Sequence, residues 1–114
     1  RLALTDGLTG LLNRRAIEDL IDFELRRQAR FPSPLAIGYV DLDHFKQINT
    51  HYTHDGGDEA LRHVARILTA TVREVDSIAR IGGEEFLILA RETPLDGAAT
   101  LAERIREAVE NHSI

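Results

Sequence analysis

The sequence contains no cysteine. Without thiols it forms neither a disulfide framework nor a thiolate zinc site, and this absence agrees with a reducing compartment. Long hydrophobic runs are also missing. No stretch approaches the ~20 apolar residues of a membrane span, and no signal peptide opens the chain. We therefore expect a cytoplasmic segment that makes no membrane contact itself, although segments outside it could anchor a parent protein.

Positive charge is scarce as well. The chain has 14 lysines and arginines against 19 aspartates and glutamates, which gives a net charge of -5 with neutral histidines. Because affinity for a nucleic-acid backbone comes from clustered cationic side chains, this balance argues against nucleic acid as a partner. A phosphorylated small molecule could still bind through a metal ion.

Length and composition are those of one globular domain, with 114 residues, 43% of them hydrophobic and 29% charged. The chain begins at Arg1 without a methionine and stops at Ile114, directly after a helical pattern. These ends suggest a fragment of a longer protein. We therefore expect a single, partial domain over residues 1–114.

Three segments carry the apolar spacing of amphipathic helices, at residues 14–30, 61–72 and 95–110. Asp55 is placed to cap the second of these helices. A near-continuous apolar run over residues 35–42 predicts a central strand that is covered on both faces.

A β-hairpin is predicted near the end of the chain. Two apolar runs, 78–81 and 86–90, flank a four-residue tip that begins with two glycines. Glycine enters positive φ without a Cβ penalty, as tight hairpin turns require. The tip then places Glu84 beside Glu85, and two such carboxylates repel each other unless a cation lies between them. A solvated acidic turn is the plainer interpretation of the same residues.

The order of helix, strand, helix, hairpin and helix predicts an α/β sandwich with a ferredoxin-like sheet and flanking helices. If the first strand lies antiparallel to the second strand of the hairpin, Asp41 meets Glu84. Together with the Leu42 carbonyl they would form an all-oxygen site that suits Mg²⁺ or Mn²⁺. Alternatively, Asp41 and Asp43 end the strand in an Asx turn.

Four motifs follow one another along the chain. They read DGLTGLLNRR at residues 6–15, DLDHFKQIN at 41–49, GD at 57–58 and GGEEF at 82–86. In this order and spacing they resemble the GGDEF family of diguanylate cyclases, in a GGEEF variant, over nearly the whole chain.

The resemblance implies a fold similar to the palm of adenylyl cyclases and polymerases, whose last strand-helix-strand unit would follow Ile114. It also implies a metal-dependent activity in bacterial second-messenger signalling, the condensation of two GTP molecules into cyclic di-GMP with release of pyrophosphate. Two Mg²⁺ or Mn²⁺ ions would serve each active site. Each domain of a homodimer would hold one GTP, so the active site would form between two domains.

The same resemblance assigns the acidic residues. Asp41, the Leu42 carbonyl and Glu84 would bind metal, and Glu84 and Glu85 would be the catalytic carboxylates. A ribose 3′-hydroxyl must attack an α-phosphorus while pyrophosphate leaves, and two metal ions can activate the nucleophile and neutralise the developing charge.

The substrate-binding residues are implied in the same way. The amides around His44 and Phe45, with Lys46, would lie near the phosphates, which need donor or positive groups. Asn49 and Asp58 would read guanine, because a carboxylate accepts from N1 and N2 and an amide both donates and accepts. Asp58 could also simply cap its helix.

A regulatory site is implied by Arg73 and Asp76, which match the family's R-x-x-D inhibitory site for cyclic di-GMP, with five residues between Asp76 and Gly82. Cyclic di-GMP would then be both product and feedback inhibitor. An arginine can clamp phosphate bidentately or stack on a purine. In another setting, an Arg and an Asp three residues apart would be an exposed ion pair of small value.

The chain also departs from the family pattern. Thr50 stands where the family usually has Asp, and Thr53 where it usually has Gly. A β-branched threonine resists positive φ, so if the position requires a left-handed conformation, the guanine-side loop would differ there or be strained. The family's Lys and Arg that grip the triphosphate would lie beyond Ile114, and we expect this fragment alone to be inactive. The alternative function is a degenerate module that binds GTP or cyclic di-GMP as a sensor without catalysis, and a dimerising scaffold without ligand is a plainer one.

Overall fold

The computed structural model describes residues 3–42 and 54–111, and of residues 54–56 only the backbone. This part of the chain contains four strands and three helices. In order they are β1 (Leu12–Asn13), α1 (Arg14–Gln28), β2 (Leu35–Asp41), α2 (His54–Thr71), β3 (Ser77–Arg80), β4 (Glu85–Arg91) and α3 (Leu95–Asn111). None of the described helices is long and apolar enough to cross a membrane.

The strands form one mixed sheet in the order β1-β3-β4-β2. β4 pairs antiparallel with both β3 and β2, and β1 adds a short parallel edge to β3. The predicted α/β fold is confirmed, including the hairpin and the helical crossover from β2 to β3. The two-residue strand β1 was not predicted, because two residues carry no readable periodicity.

Helices cover both faces of this sheet. α2 and α3 pack on one face, where the buried core consists of Leu61, Val64, Leu68, Ile78, Phe86, Ile88 and Ile105. α1 packs on the other face, over a smaller core of Ile17, Ala79 and Leu89. β4 contributes to both cores and is the most deeply buried strand, as its central position requires.

The ends of α1 follow from local chemistry. Asn13 caps the helix, its side chain accepting from the amide of Ala16 at 2.9 Å. Arg26 and Arg27 lie in the last turn, where positive side chains stabilise the partial negative charge of the helix C-terminus. Glu24 is buried on this helix and pairs with Arg91 of β4 at 3.1 Å, so the one buried carboxylate of α1 is compensated.

Two predictions about element ends need correction. α1 ends at Gln28, two residues before the predicted end, and Gln28 then exchanges hydrogen bonds with the backbone of Ser33. α2 begins at His54, so Asp55 lies inside its first turn instead of capping it. Both differences are of the size expected at helix termini, where side-chain capping competes with one more helical residue.

The prediction that residues 35–42 are covered on both faces is wrong for the described structure. β2 has a strand partner on one side only, and α1 packs on β1, β3 and β4. Ile37, Tyr39 and Asp41 therefore remain exposed on the α1 side of the sheet. An apolar run shows that a strand is compatible with burial, but its place in the sheet decides how much is covered.

Candidate active site

The candidate site lies where β2 ends and β4 begins. The antiparallel register pairs Asp41 with Glu85, and the amide of Leu42 donates to the Glu84 carbonyl at 3.2 Å. The prediction that Asp41 meets Glu84 is therefore wrong by one residue. β4 begins at Glu85 instead of Phe86, and this extra residue extends the pairing to the end of β2. Directly opposed residues of a sheet share one face, so Asp41 and Glu85 present two carboxylates side by side.

Tyr39 belongs to the same surface. It precedes Asp41 by two residues, which places both side chains on one face of β2, and its hydroxyl donates to Glu85 Oε2. The hydrogen bond to Glu85, with burial and the charges of Glu85 and Asp41, raises the pKa of Tyr39 to about 12. The phenol is therefore protonated at neutral pH and acts as a donor. Sequence reasoning missed this residue, although the period-2 spacing from Asp41 was a usable signal.

Gly82 of the hairpin tip serves a different purpose from the predicted one. Among the described residues, only Gly10 and Glu92 have positive φ, so neither Gly82 nor Gly83 needs that conformation. A Cβ at Gly82 would instead collide with Glu85 Oε1 and lie 3.1 Å from Glu85 Cδ. The missing side chain at Gly82 therefore leaves room for the Glu85 carboxylate.

An ion pair between Arg80 and Asp6 connects the hairpin to the loop that precedes β1. Arg80, the last residue of β3, contacts Asp6 at 3.2 Å and donates to the Gly83 carbonyl at 2.9 Å. Asp6 also accepts from the amide and hydroxyl of Thr9, at 2.8 and 2.7 Å. Burial alone would raise the pKa of Asp6, but the Thr9 hydrogen bonds and Arg80 outweigh it and hold the pKa below its ordinary value of 3.8. The loop that carries the first motif thus fixes the tip that carries the last one.

Several predicted site residues fall outside the described residues. These are His44, Phe45, Lys46 and Asn49, together with Asp43, Thr50 and Thr53. Asp58 is described and lies half-buried in the first turns of α2.

The donor chemistry at this edge suits a hard divalent cation. Asp41 and Glu85 offer carboxylate oxygens and Leu42 a carbonyl oxygen, which are ligands that Mg²⁺ and Mn²⁺ accept. Within residues 3–42 and 54–111, no group of three or more His, Cys, Asp and Glu residues is placed to hold a metal. The residues therefore fit a metal by type, with two carboxylates facing each other across the strands.

Arg73 and Asp76 lie in the turn between α2 and β3. This turn is at the opposite end of β3 from Asp41, Glu84 and Glu85, which together are called the acidic edge. Asp76 accepts from the Arg73 amide at 3.0 Å and from its guanidinium at 2.9 and 3.1 Å. The guanidinium also donates to the Arg91 carbonyl and to Thr93 Oγ1, at 2.7 and 2.5 Å. The Arg73 side chain is 49% exposed, whereas that of Asp76 has no exposed area.

Comparison with protein families gives one match that spans residues 3–114, to the family described as diguanylate cyclase, GGDEF domain. Among curated proteins, the chain is 43% identical over 107 residues to the diguanylate cyclase DgcP of Pseudomonas aeruginosa, covering 94% of this chain and 16% of DgcP. It is 44% identical over 105 residues to the response regulator PleD of Caulobacter vibrioides, covering 92% of this chain and 23% of PleD. The chain thus spans less than a quarter of either relative.

Among solved structures, the GGDEF domain of DgcB from Caulobacter crescentus, in complex with c-di-GMP, superposes with a TM-score of 0.92. It is 33% identical in sequence, and the match covers 100% of this chain and 67% of the other. The architecture described above is therefore that of solved domains of this type.

Proposed function

The chain belongs to the GGDEF family of diguanylate cyclases, and on this premise we propose that it is a catalytic domain that condenses two GTP molecules into cyclic di-GMP. The observation that carries the proposal is the pairing of Asp41 with Glu85 at the tip of the glycine-containing hairpin. Asp41 is exposed and Glu85 is half-buried, and two carboxylates that lie opposite each other repel. A cation between them removes that repulsion. In a chain with these motifs, a cation bound between Asp41 and Glu85 would also serve a metal-dependent phosphoryl transfer.

Each round of the reaction forms and breaks one bond. The 3′-oxygen of one GTP bonds to the α-phosphorus of the other, the bond from that phosphorus to pyrophosphate breaks, and the hydroxyl proton passes to a base. Two such steps close the cyclic product and release two pyrophosphates. Glu84 and Glu85 are the catalytic carboxylates, and both are half-buried at the hairpin tip.

Asp41, the Leu42 carbonyl and Glu84 would hold two Mg²⁺ or Mn²⁺ ions. When bound, these ions supply charge neutralisation and make the attacking hydroxyl more acidic. In the described structure, the amide of Leu42 donates to the Glu84 carbonyl, and Asp41 pairs with Glu85. Asp41, Leu42 and Glu84 therefore lie together where β2 ends and β4 begins.

The remaining roles in substrate binding are those that the family resemblance implies, and donor and acceptor chemistry agrees with them. Asp58 and Asn49 are assigned to the guanine edge, and Lys46 with the amides of His44 and Phe45 to the phosphates. One GTP per domain requires two domains for one product, so the active enzyme is proposed to be a homodimer.

The test of this function is turnover in the full-length protein. Glu85→Gln or Glu84→Gln should reduce cyclic di-GMP formation by about a hundredfold or more, because a proton acceptor or an anionic ligand is lost. The unfolding midpoint should change little, since neither side chain belongs to the core. Glu107→Gln, on an exposed site of α3, is the matched control and should leave turnover unchanged. Parental product formation by both tip variants would contradict the proposal.

The sensor alternative has its support in Thr50 and Thr53. It predicts that the full-length wild type binds GTP or cyclic di-GMP with no product formed, so the same assay separates the two functions.

We further propose that cyclic di-GMP inhibits the enzyme at Arg73 and Asp76. The half-exposed guanidinium of Arg73 supports the proposal, because it can donate to a phosphate while it keeps part of its bonding within the turn. The covered carboxylate of Asp76 becomes accessible to a guanine edge only if Arg73 releases it.

A further inference from the structure

The Glu85 carboxylate lies close to two residues in this structure, Tyr39 and Gly82. One carboxylate oxygen, Oε2, accepts from the hydroxyl of Tyr39, and the other, Oε1, lies over the bare Cα of Gly82. The side chain therefore lies between Tyr39 of β2 and Gly82 of the hairpin tip. Position 39 lies outside the family motifs named above.

This position of the Glu85 side chain is important because a second carboxylate, that of Asp41, lies beside it. Asp41 is the cross-strand partner of Glu85, and like charges directly opposite each other in a sheet are destabilising. A free Glu85 side chain would relax toward solvent, since a glutamate has rotamers that increase its distance from Asp41. A donor on the same face opposes this relaxation.

Burial does not explain why a tyrosine occupies position 39. The residue is 57% exposed, and Ile37, which lies two residues earlier on the same face and has no hydroxyl, is 51% exposed. Removing the Tyr39 hydroxyl would therefore remove little packing, and its hydrogen bond to Glu85 is what distinguishes it from Ile37.

We propose that Tyr39 is a positioning residue, which holds the Glu85 carboxylate next to Asp41 in the geometry that catalysis uses. The proposal rests on the proposed function for the assignment of Glu85 as a catalytic carboxylate. Tyr39 touches no reacting atom and acts through Glu85 alone.

The first arm of the test is kinetic and uses the full-length protein. Tyr39→Phe keeps the ring and removes the hydroxyl, so kcat should fall about tenfold, the effect of one lost charge-assisted hydrogen bond, while KM for GTP stays within about twofold. Glu85→Asp shortens the side chain beyond the reach of the phenol. In that background, Tyr39→Phe should change kcat by less than about twofold. Ile37→Ala is the control for a side chain lost from the same face and should leave kcat unchanged.

The second arm does not depend on turnover. In protein labelled with ¹³C at the glutamate carboxyl carbon, the Glu85 signal is identified by its loss in Glu85→Gln. Tyr39→Phe should shift that signal and leave the other glutamate signals in place, whereas Ile37→Ala should shift none of them.

The two arms separate two kinds of failure. A wild type that makes no cyclic di-GMP overturns the proposed function, and the carboxyl signal then decides about Tyr39 by itself. An unmoved Glu85 signal in Tyr39→Phe overturns the positioning role. Equal losses of kcat from Tyr39→Phe in the wild-type and Glu85→Asp backgrounds overturn it as well, because Tyr39 would then act independently of Glu85.

Discussion

At the scale of single residues, the hairpin tip shows how one residue type can satisfy two different constraints. Glycine permits positive φ and also permits close approach, and the sequence pattern does not distinguish the two. Here Gly82 is used for close approach to Glu85, whereas Gly10, with φ of 75°, is used for its backbone conformation. The position of a neighbouring side chain, which only the folded sheet specifies, decides between them.

The Asp6–Arg80 pair leads to a prediction about acid stability. Both side chains are mostly covered, 18% exposed for Arg80 and 20% for Asp6, so solvent screens the pair only partly. The pKa of Asp6 lies below 3.8 in the folded protein, so the ionised carboxylate contributes stability above that pH. This contribution is lost as the pH falls from 3.8 through the folded pKa.

We therefore expect Asp6→Asn to lower the free energy of unfolding at pH 7 by about 1 to 3 kcal/mol. The difference from the wild type should shrink as the pH falls below 3.8. Urea unfolding at a series of pH values measures it, and Asp22→Asn, on an exposed site of α1, is the matched control. A constant difference between Asp6→Asn and wild type from pH 7 to well below 3.8 would show that Asp6 does not stabilise the fold through its charge.

At the scale of elements, the sequence was informative about which segments form helices and strands and less so about their surroundings. Periodicity located the three helices, because each needs one apolar face, and the hairpin was located by two apolar runs on either side of a tip that begins with two glycines. The exposure of Ile37 and Tyr39 could not be predicted, since it depends on which strands flank β2. For the same reason, the one-residue error in the partner of Asp41 was beyond sequence reasoning: strand register is decided by pairing across the sheet.

The turn between α2 and β3 is the element on which the feedback proposal depends. Arg73 connects this turn to the turn between β4 and α3 through the Arg91 carbonyl and Thr93. A ligand phosphate would compete for some of these donors. Ligand binding would then change the hydrogen bonds that join the α2–β3 turn to the β4–α3 turn. Both turns lie at the end of the sheet away from the acidic edge.

Arg73→Ala should weaken cyclic di-GMP binding by roughly ten- to hundredfold and relieve product inhibition, because a charge-assisted contact to arginine is lost. GTP turnover in the absence of product should change little. Titration calorimetry with cyclic di-GMP and an inhibition assay measure both effects in the full-length protein. Arg106→Ala removes an exposed arginine that pairs with Glu103 at 2.6 Å and controls for the loss of a surface ion pair. Unaltered inhibition in Arg73→Ala would return Arg73 and Asp76 to a purely structural ion pair.

At the scale of the whole molecule, topology converts separate motifs into one site. Asp41 and Glu85 are 44 positions apart in the numbering, yet the antiparallel pairing of β2 with β4 places them directly opposite each other. The first motif reaches the same hairpin through Asp6 and Arg80. The motif order predicted this convergence, because two acidic clusters at the ends of paired strands must meet. The contribution of Tyr39 depended on side-chain geometry and could not be predicted from the motifs.

We propose that the metal and the GTP phosphates bind where Asp41 and Glu85 face each other. Titration calorimetry on the full-length protein, with Mg²⁺ or Mn²⁺ alone and with a non-hydrolysable GTP analogue, tests it most directly. We predict weak binding of the metal alone, tighter binding with the analogue present, and loss of about tenfold or more of that affinity in Asp41→Asn. Asp22→Asn should match the wild type. Metal-dependent binding of the analogue that is the same in Asp41→Asn as in the wild type would contradict the claim.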